Sequence, residues 1–320
     1  MTTRDVLFVL DPPESFDPRA DSTFVMITEA LRRGHRPFGV LLGGLSLWGD
    51  EARARAGALQ LRDDGRLALG ELRSRALESF DVVVMRKDPP VDTAYLAATW
   101  ILDHAKTLVV NGPTGLRELN EKIAIARFPE LTPRTFVTRS TAELHELLGE
   151  LGGKMIVKPV YGFGGREILM ARAGDPNLAS ILELATAEGT RWTVAQEYLP
   201  AAAEGDKRIL LIDGEPVGAV LRVPAKGELR NNFHAGGSPA RSGLSEGERA
   251  ICSRVGPVLR ELGQFFVGID VIGGRLTEIN VTSPTGMQEI NRLEGLEDDD
   301  TMQARFWMAL ESKLGGGERT

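Results

Sequence analysis

The chain has 320 residues, 42% of them hydrophobic and 26% charged, the balance of a globular protein with room for one to three cores. Its 38 basic and 45 acidic residues give a net charge of −7, which argues against nucleic-acid or anionic-membrane partners. The single cysteine, Cys252, excludes an internal disulfide and a cysteine-built zinc site.

Met1 is followed almost at once by a strand, and no stretch approaches the roughly 20 apolar residues of a membrane span; a cytoplasmic protein is expected. Val6–Asp11 (VLFVLD) is an apolar run with a polar end, the pattern of a buried parallel strand. Asp21 or Ser22 then caps a helix that stops at Gly34. PFGVLL, DVVVMR and Thr107–Asn111 read as further strands, with the helix TAYLAATWILDHA between the last two. Residues 45–80, rich in Arg and Ala, read as an irregular or edge hairpin passing into a helix. This alternation predicts an α/β fold with a doubly wound parallel sheet, whose ligands gather at the carboxyl ends of the strands. Asp11, Arg86, Lys87, Asp88 and Asn111 stand at such ends.

From about Asn120 the texture changes. A helix over Glu118–Phe128 is expected, followed by a second helix, the strand KMIVKP, a glycine-rich turn and REILMAR. These describe a small α+β unit with antiparallel strands. WTVAQEYLP (Trp192–Pro200) is a strand closed by proline. DKRILLIDGEPVGAVLRVP is a hairpin with Asp213-Gly214 at its tip, FFVGIDVIGGRLTEINVTSP is another, and helices close the chain. Cys252 lies in one of the helical stretches as a half-buried core thiol.

The second hairpin carries the sharpest chemistry. Glu278 and Asn280 are two residues apart in a strand and share a face. A three-residue loop, Gly273-Gly274-Arg275, sets Asp270 opposite Glu278; a two-residue Gly-Gly turn sends the two acids to opposite faces. With the longer loop, Asp270, Glu278 and Asn280 offer oxygen ligands only, suited to Mg²⁺ or Mn²⁺. The ordinary alternative is a solvated face, disfavoured by the apolar Ile269, Val271, Ile279 and Val281 around it. Three ligands are too few for an octahedral cage, so water and phosphate oxygens must supply the rest, which implies a nucleotide. Lys158 followed by Gly162, Gly164 and Gly165 could fold backbone N–H groups over phosphates, although a tight turn beside a surface lysine has the same pattern. Lys122 is a second cation, and Gln196, Glu197, Tyr198 and Leu199 end a strand that could present backbone groups to adenine. Arg208, Arg222 and Arg230 form a basic set suited to carboxylate and phosphate. His234 is a modest candidate for substrate contact.

Taken together, Lys122, VKP with its glycine loop, QEYL, DKR, RVP, AGG and GIDVIGGRLTEINVTSPTG resemble the ATP-grasp ligases. MRKDPP and NEK narrow the resemblance to the bacterial glutathione synthetase family, over almost the whole chain. The resemblance implies a pre-ATP-grasp domain at 1–120, a lid subdomain at 121–200 and a C-terminal subdomain with the metal site at 201–320. It implies ATP-dependent ligation of γ-glutamylcysteine with glycine through an acyl phosphate, with ATP and Mg²⁺ as cofactors, and a homo-oligomer. Carried over, Asp270, Glu278 and Asn280 hold the metal, Lys122 and Lys158 bind phosphates, and the 161–165 loop closes over them. Gln196–Leu199 cradle adenine, and Arg208 and Arg222 stabilise the transferring phosphoryl group. Arg86, Arg230, Asn232 and the turn of Ser283, Pro284, Thr285 and Gly286 contact the peptide substrate. Tyr161 stands where the family pattern leads one to expect an acid, and NNFHAGG departs from the expected small residues. A different ATP-grasp ligase and an ATP-binding regulatory module are the competing readings.

Overall fold

The structure, a computed structural model, describes residues 2–162, 164–165, 167–225, 227–228, 231 and 236–315. Strand β1 (Asp5–Leu10) leads through helix α1 (Ser22–Arg32) to β2 (Arg36–Leu41). The antiparallel strands β3 (Leu45–Trp48), β4 (Glu51–Leu61), β5 (Leu67–Leu69) and β6 (Arg73–Ala76) follow, then β7 (Val82–Met85), α2 (Thr93–Leu102), β8 (Leu108–Val110) and α3 (Pro113–Glu118). The sheet order is β3-β4-β2-β1-β7-β8, with β2, β1, β7 and β8 parallel. Val6 through Leu10 and all of β7 are buried, which is why these strands read as unbroken apolar runs. Asp21 caps α1 by accepting from Thr23 N–H at 2.7 Å, and Asp92 caps α2 by accepting from Tyr95 N–H.

Two expectations are corrected. Residues 45–80 contain no α-helix; β4 alone is an 11-residue strand. Ala52, Ala54 and Ala56 are buried while Arg53 and Arg55 project away, a period of two. Alanine and arginine favour helices on composition, and that preference masked the alternation. Nor is Glu118–Phe128 a helix: α3 ends at Glu118, and one 3-10 turn covers Ala124–Arg127. The Asn120 side chain accepts from Lys122 N–H (3.0 Å) and Ile123 N–H (3.2 Å), a local turn that competes with helical pairing.

The next sheet is antiparallel, ordered β11-β10-β12-β9, from β9 (Thr135–Thr138), β10 (Lys154–Pro159), β11 (Leu169–Arg172) and β12 (Thr193–Glu197). Helices α4 (Thr141–Glu150) and α5 (Leu178–Thr186) cover one side, and Leu144, Leu148, Met155, Val157, Leu182 and Ala195 form its private core. The third sheet, β15-β14-β13-β16-β17, uses β13 (Asp206–Ile212), β14 (Glu215–Val223), β15 (Ser238–Arg241), β16 (Phe266–Ile272) and β17 (Arg275–Asn280). Helix α6 (Glu246–Glu261) precedes β16, and α7 (Met287–Glu294) and α8 (Met302–Gly315) close the described chain. A capping box of Ser245 and Glu248 starts α6.

The first and third sheets share their cores. Leu7, Val9 and Val83 cluster with Ile209, Val267 and Ile279, while Phe8 and Ile27 cluster with Phe265, Phe306 and Trp307. Asn111 fastens the two across this junction. Its Nδ2 donates to the carbonyls of Phe266 (2.7 Å) and Val281 (2.6 Å), and its Oδ1 accepts from the N–H groups of Phe265 and Phe266 (2.8 Å each). The molecule therefore has two separately packed parts, with the second sheet as the smaller.

Candidate active site

The β16–β17 hairpin departs from expectation in its turn and agrees in its outcome. The turn is the two-residue Gly273-Gly274, with φ of +55° and +74°, and Ile272 pairs with Arg275. That turn alone would set Asp270 opposite Thr277. A bulge adds Thr277 to β17 as an extra residue, so Asp270 faces Glu278 after all. The Thr277 hydroxyl donates to the Asp270 carbonyl at 3.1 Å, within the core. Asn280 faces Gly268 on the same side as Glu278.

Four cations meet these acids. Arg208 pairs across the β13–β16 register with Asp270, donating through Nε and, at 2.9 Å, through Nη2. A Cβ at Gly268 would stand 2.9 Å from Arg208 Cδ, so glycine there leaves the arginine its path along β16. Arg222 on β14 reaches Asp270 Oδ2 at 2.9 Å and binds its own cross-strand neighbour Asp206 through Nε at 2.6 Å. Lys158, at the end of β10, lies 3.1 Å from Glu278 Oε1. Lys122 donates to the Glu121 carboxylate and the Gly162 carbonyl. Asn280 Nδ2 donates to Asp270 Oδ2 at 3.2 Å.

Burial opposes ionisation at Asp270, yet the guanidiniums of Arg208 and Arg222 hold it well below the usual carboxylate range. Glu278 is likewise held down by Lys158 and Lys122 against burial. Lys122 is pushed up by Glu278 and Glu121, again against burial. For Asp206 and Glu121 the balance reverses: burial pushes Asp206 up to about 6 despite Arg222, and raises Glu121 despite Lys122. The sequence reading missed these two acids. Each stands next to, or two residues before, a predicted cation, and a need to neutralise four buried positive charges was the available signal.

A cleft opens beside this array, between the second and third sheets. Ile156, Ile168 and Ile272 form apolar walls; Gln196, Glu197, Tyr198 and Leu199 line one edge; Lys158, Asp206, Asp270 and Glu278 line the charged end. Gln196 Nε2 is anchored on Thr135 Oγ1 (3.0 Å), and Lys154 Nζ sits 3.5 Å over the Tyr198 ring. Gly164 and Gly165 take φ of +64° and +74°, the left-handed region that glycine adopts freely. Tyr161 is 69% exposed. Arg230, Asn232 and His234 lie outside the described residues.

Arg86 is 3% exposed and makes its contacts inside the protein, through Nε to Thr23 Oγ1 (3.0 Å) and Nη2 to the Pro284 carbonyl (3.1 Å). It thus props the Ser283–Gly286 turn from beneath, while Arg208 Nη1 reaches the Thr285 carbonyl at 3.4 Å. Asp11 accepts from Lys87 Nζ and Asp88 N–H, both at 2.9 Å. The polar groups at the carboxyl ends of the first sheet are thus bound up in internal contacts.

The prokaryotic glutathione synthetase N-terminal domain matches residues 5–117, and the ATP-grasp domain of the same family matches residues 121–295. The chain belongs to the prokaryotic glutathione synthetase family. It is 45% identical to the glutathione synthetase of Photorhabdus laumondii over 96% of this chain and 98% of that protein. It is 44% identical to that of Brucella melitensis over 92% and 94%. Among solved structures, a D-cycloserine synthetase superposes with a TM-score of 0.66 at 16% identity, covering 97% and 99% of the two chains. The D-alanyl-alanine synthetase A of Vibrio cholerae gives 0.61 at 11% identity, covering 99% and 100%. These two show the fold. Among the described residues no helix is long and apolar enough to cross a membrane.

Proposed function

We propose that the cleft between the second and third sheets is where this enzyme activates a peptide carboxylate with ATP and joins it to an amine. The family activity is ATP-dependent formation of glutathione by an ADP-forming ligase, and the reading taken here assigns γ-glutamylcysteine and glycine as the substrates. The observation that carries the site assignment is the convergence of Asp270, Glu278 and Asn280 with Lys122, Lys158, Arg208 and Arg222 at one end of an apolar-walled cleft.

Asp270, Glu278 and Asn280 supply oxygen donors only, which fits Mg²⁺ and neither zinc nor copper. Among the described residues no group of three His, Cys, Asp or Glu side chains is arranged to hold a metal ion; two acids and an amide leave positions for water and phosphate. Bound there, Mg²⁺ would offset phosphate charge. The protein's own array is nearly self-neutral, with Glu121, Asp206, Asp270 and Glu278 against the four cations. Such an array favours the nucleotide together with its metal over either alone.

The adenine base lies against the Ile156, Ile168 and Ile272 walls, with Gln196–Leu199 along its edge. Lys122, Lys158 and the N–H groups around Gly162, Gly164 and Gly165 hold the phosphates. A carboxylate oxygen of the peptide attacks the γ-phosphorus, the bond to the bridging oxygen breaks, and ADP leaves. Arg208 and Arg222, fixed by Asp270 and Asp206, face the charge that develops on the transferring group. The amine of glycine then adds to the acyl carbon, phosphate departs, and the new amide nitrogen gives up its proton. The Ser283–Gly286 turn and the Arg230 and Asn232 segment form the peptide site, with Arg86 acting through Pro284. The second sheet, within residues 121–200, closes as a lid that keeps water from the acyl phosphate; 1–120 and 201–320 are the other units of this reading. A homo-oligomer in the cytoplasm completes it.

The test is phosphate release from ATP and Mg²⁺ with γ-glutamylcysteine and glycine together and with each omitted. Release that requires both, matched by glutathione, supports the reading. Release with another acid and amine pair overturns the substrate assignment.

A further inference from the structure

The segment Asn120-Glu121-Lys122 lies between α3 and the second sheet and touches both sides of the cleft. Asn120 Nδ2 donates to the Val160 carbonyl at 3.2 Å, directly ahead of the glycine loop. Lys122 Nζ donates to the Gly162 carbonyl within that loop, and Glu121 Oε1 accepts from the same ammonium. On the other side, the Glu121 carbonyl accepts from Ile279 N–H at 2.9 Å, between Glu278 and Asn280 in the acid-bearing hairpin. The Asn120 Oδ1 meanwhile closes the turn that keeps this segment out of helix.

We propose that Asn120 and Glu121 are positioning residues that staple the glycine loop to the β16–β17 hairpin. Neither is placed against a reacting atom. Asn120 acts through Val160, and Glu121 acts through Lys122. With the carbonyls of residues 160 and 162 both tied, the intervening peptide planes cannot rotate freely, and the loop's entry is held at a set distance from Glu278 and Asn280. A nucleotide bridging the loop and the hairpin then meets two preset walls, and less ordering is left for the binding step. The carboxylate of Glu121 also aims the buried Lys122 ammonium, which donates to it and to the Gly162 carbonyl. This inference rests on the assignment of Lys122 and the glycine loop to the phosphates.

The separating variant is Asn120→Asp. Its carboxylate still accepts from the Lys122 and Ile123 amides, but it cannot donate to Val160. The measurements on the full-length protein are the Kd of an ATP analogue with a non-hydrolysable γ-phosphoryl link, titrated with Mg²⁺, and the KM of each substrate with kcat. One lost hydrogen bond of ordinary size corresponds to a weakening of about three- to tenfold. That change is expected in nucleotide Kd and KM, with the peptide and amine KM values moving less than about twofold. Asn120→Ser, whose hydroxyl can cap the turn but is too short to reach Val160, should give the same split, and serves if the Asp variant does not fold. Glu121→Gln should weaken nucleotide binding in the same direction. Unchanged nucleotide affinity in both Asn120 variants overturns the staple, as does an equal rise in all three KM values with a lowered Tm. Lys122→Ala separates the two layers. If it weakens nucleotide binding while Asn120→Asp does not, the staple alone falls; if it leaves binding intact, the phosphate assignment falls as well.

Discussion

Replacing Asn111 with alanine should be among the most destabilising single changes in this molecule. Asn111 is 4% exposed and makes four hydrogen bonds between the first and third sheets. Truncation strips two backbone N–H groups and two carbonyls of their partner at once. A neutral hydrogen bond contributes about 1 kcal/mol net, and a buried group left without one costs about 1–3 kcal/mol. Carbonyls tolerate this better than N–H groups, and a small adjoining cavity lined by Asn111, Phe266 and Thr282 has room for about one water. The expected loss is therefore about 4 kcal/mol, below a simple sum of the upper values. With unfolding entropy near 2.1 cal/mol/K per residue, 320 residues convert this to a Tm lower by roughly 6 °C. Urea unfolding followed by tryptophan fluorescence checks it, since Trp307 is fully buried in the shared core. Asn111→Asp should lose as much or more, because a carboxylate would face the carbonyls of Phe266 and Val281. A loss under about 1 kcal/mol for the alanine variant, with an unchanged m-value, would show that water replaces the clamp and refute the reasoning.

Glu278→Gln should lower kcat more than about a hundredfold while the chain still folds, as it removes a proposed metal ligand and the partner of Lys158; near wild-type turnover sinks that role. Burial raises Glu289 above the ordinary carboxylate range, and its Oε2 has no partner. The folded state thus disfavours the charged form, a penalty that is absent below the unfolded pKa and grows as pH rises through the folded one. Glu289→Gln should raise Tm at pH 8 and lose that advantage near pH 4; equal Tm values at pH 8 would contradict this. Burial also pushes the Cys252 thiol up to about 11, so a thiol reagent at pH 8 should label it only at the rate of unfolding. Rapid labelling of the native protein would count against the assigned burial.

The sequence disclosed the chemistry further than it disclosed the backbone that delivers it. Strands such as β1 and β7 were legible because they are buried on both faces and wholly apolar. Residues 51–61 were not, because alanine and arginine carry a helical preference that the two-residue period overrides. Asp270, Glu278 and Asn280 could be found together because acids and amides are conspicuous among β-branched neighbours. The route by which they align was misjudged, since turn length and bulge position are settled by contacts such as Thr277 to the Asp270 carbonyl. Asn111 was legible as a polar strand end but not as a clamp, because its four partners lie more than 150 residues away. Asp206 and Glu121 were overlooked for a similar reason: their value comes from cations that the fold, and not the sequence, brings near.

The bulge at Thr277 makes the alignment of the two acids degenerate with respect to the turn. A two-residue turn with one surplus residue in β17, and a three-residue turn with none, both bring Asp270 opposite Glu278. Deleting Thr277 from the present hairpin would do so as well. A substitution that forbids positive φ at Gly273 or Gly274 therefore has somewhere to go: the loop can lengthen by one, the bulge can vanish, and the disturbance stops at Thr277. The hairpin absorbs a change of turn geometry in its outer half, and the oxygen cage keeps its alignment.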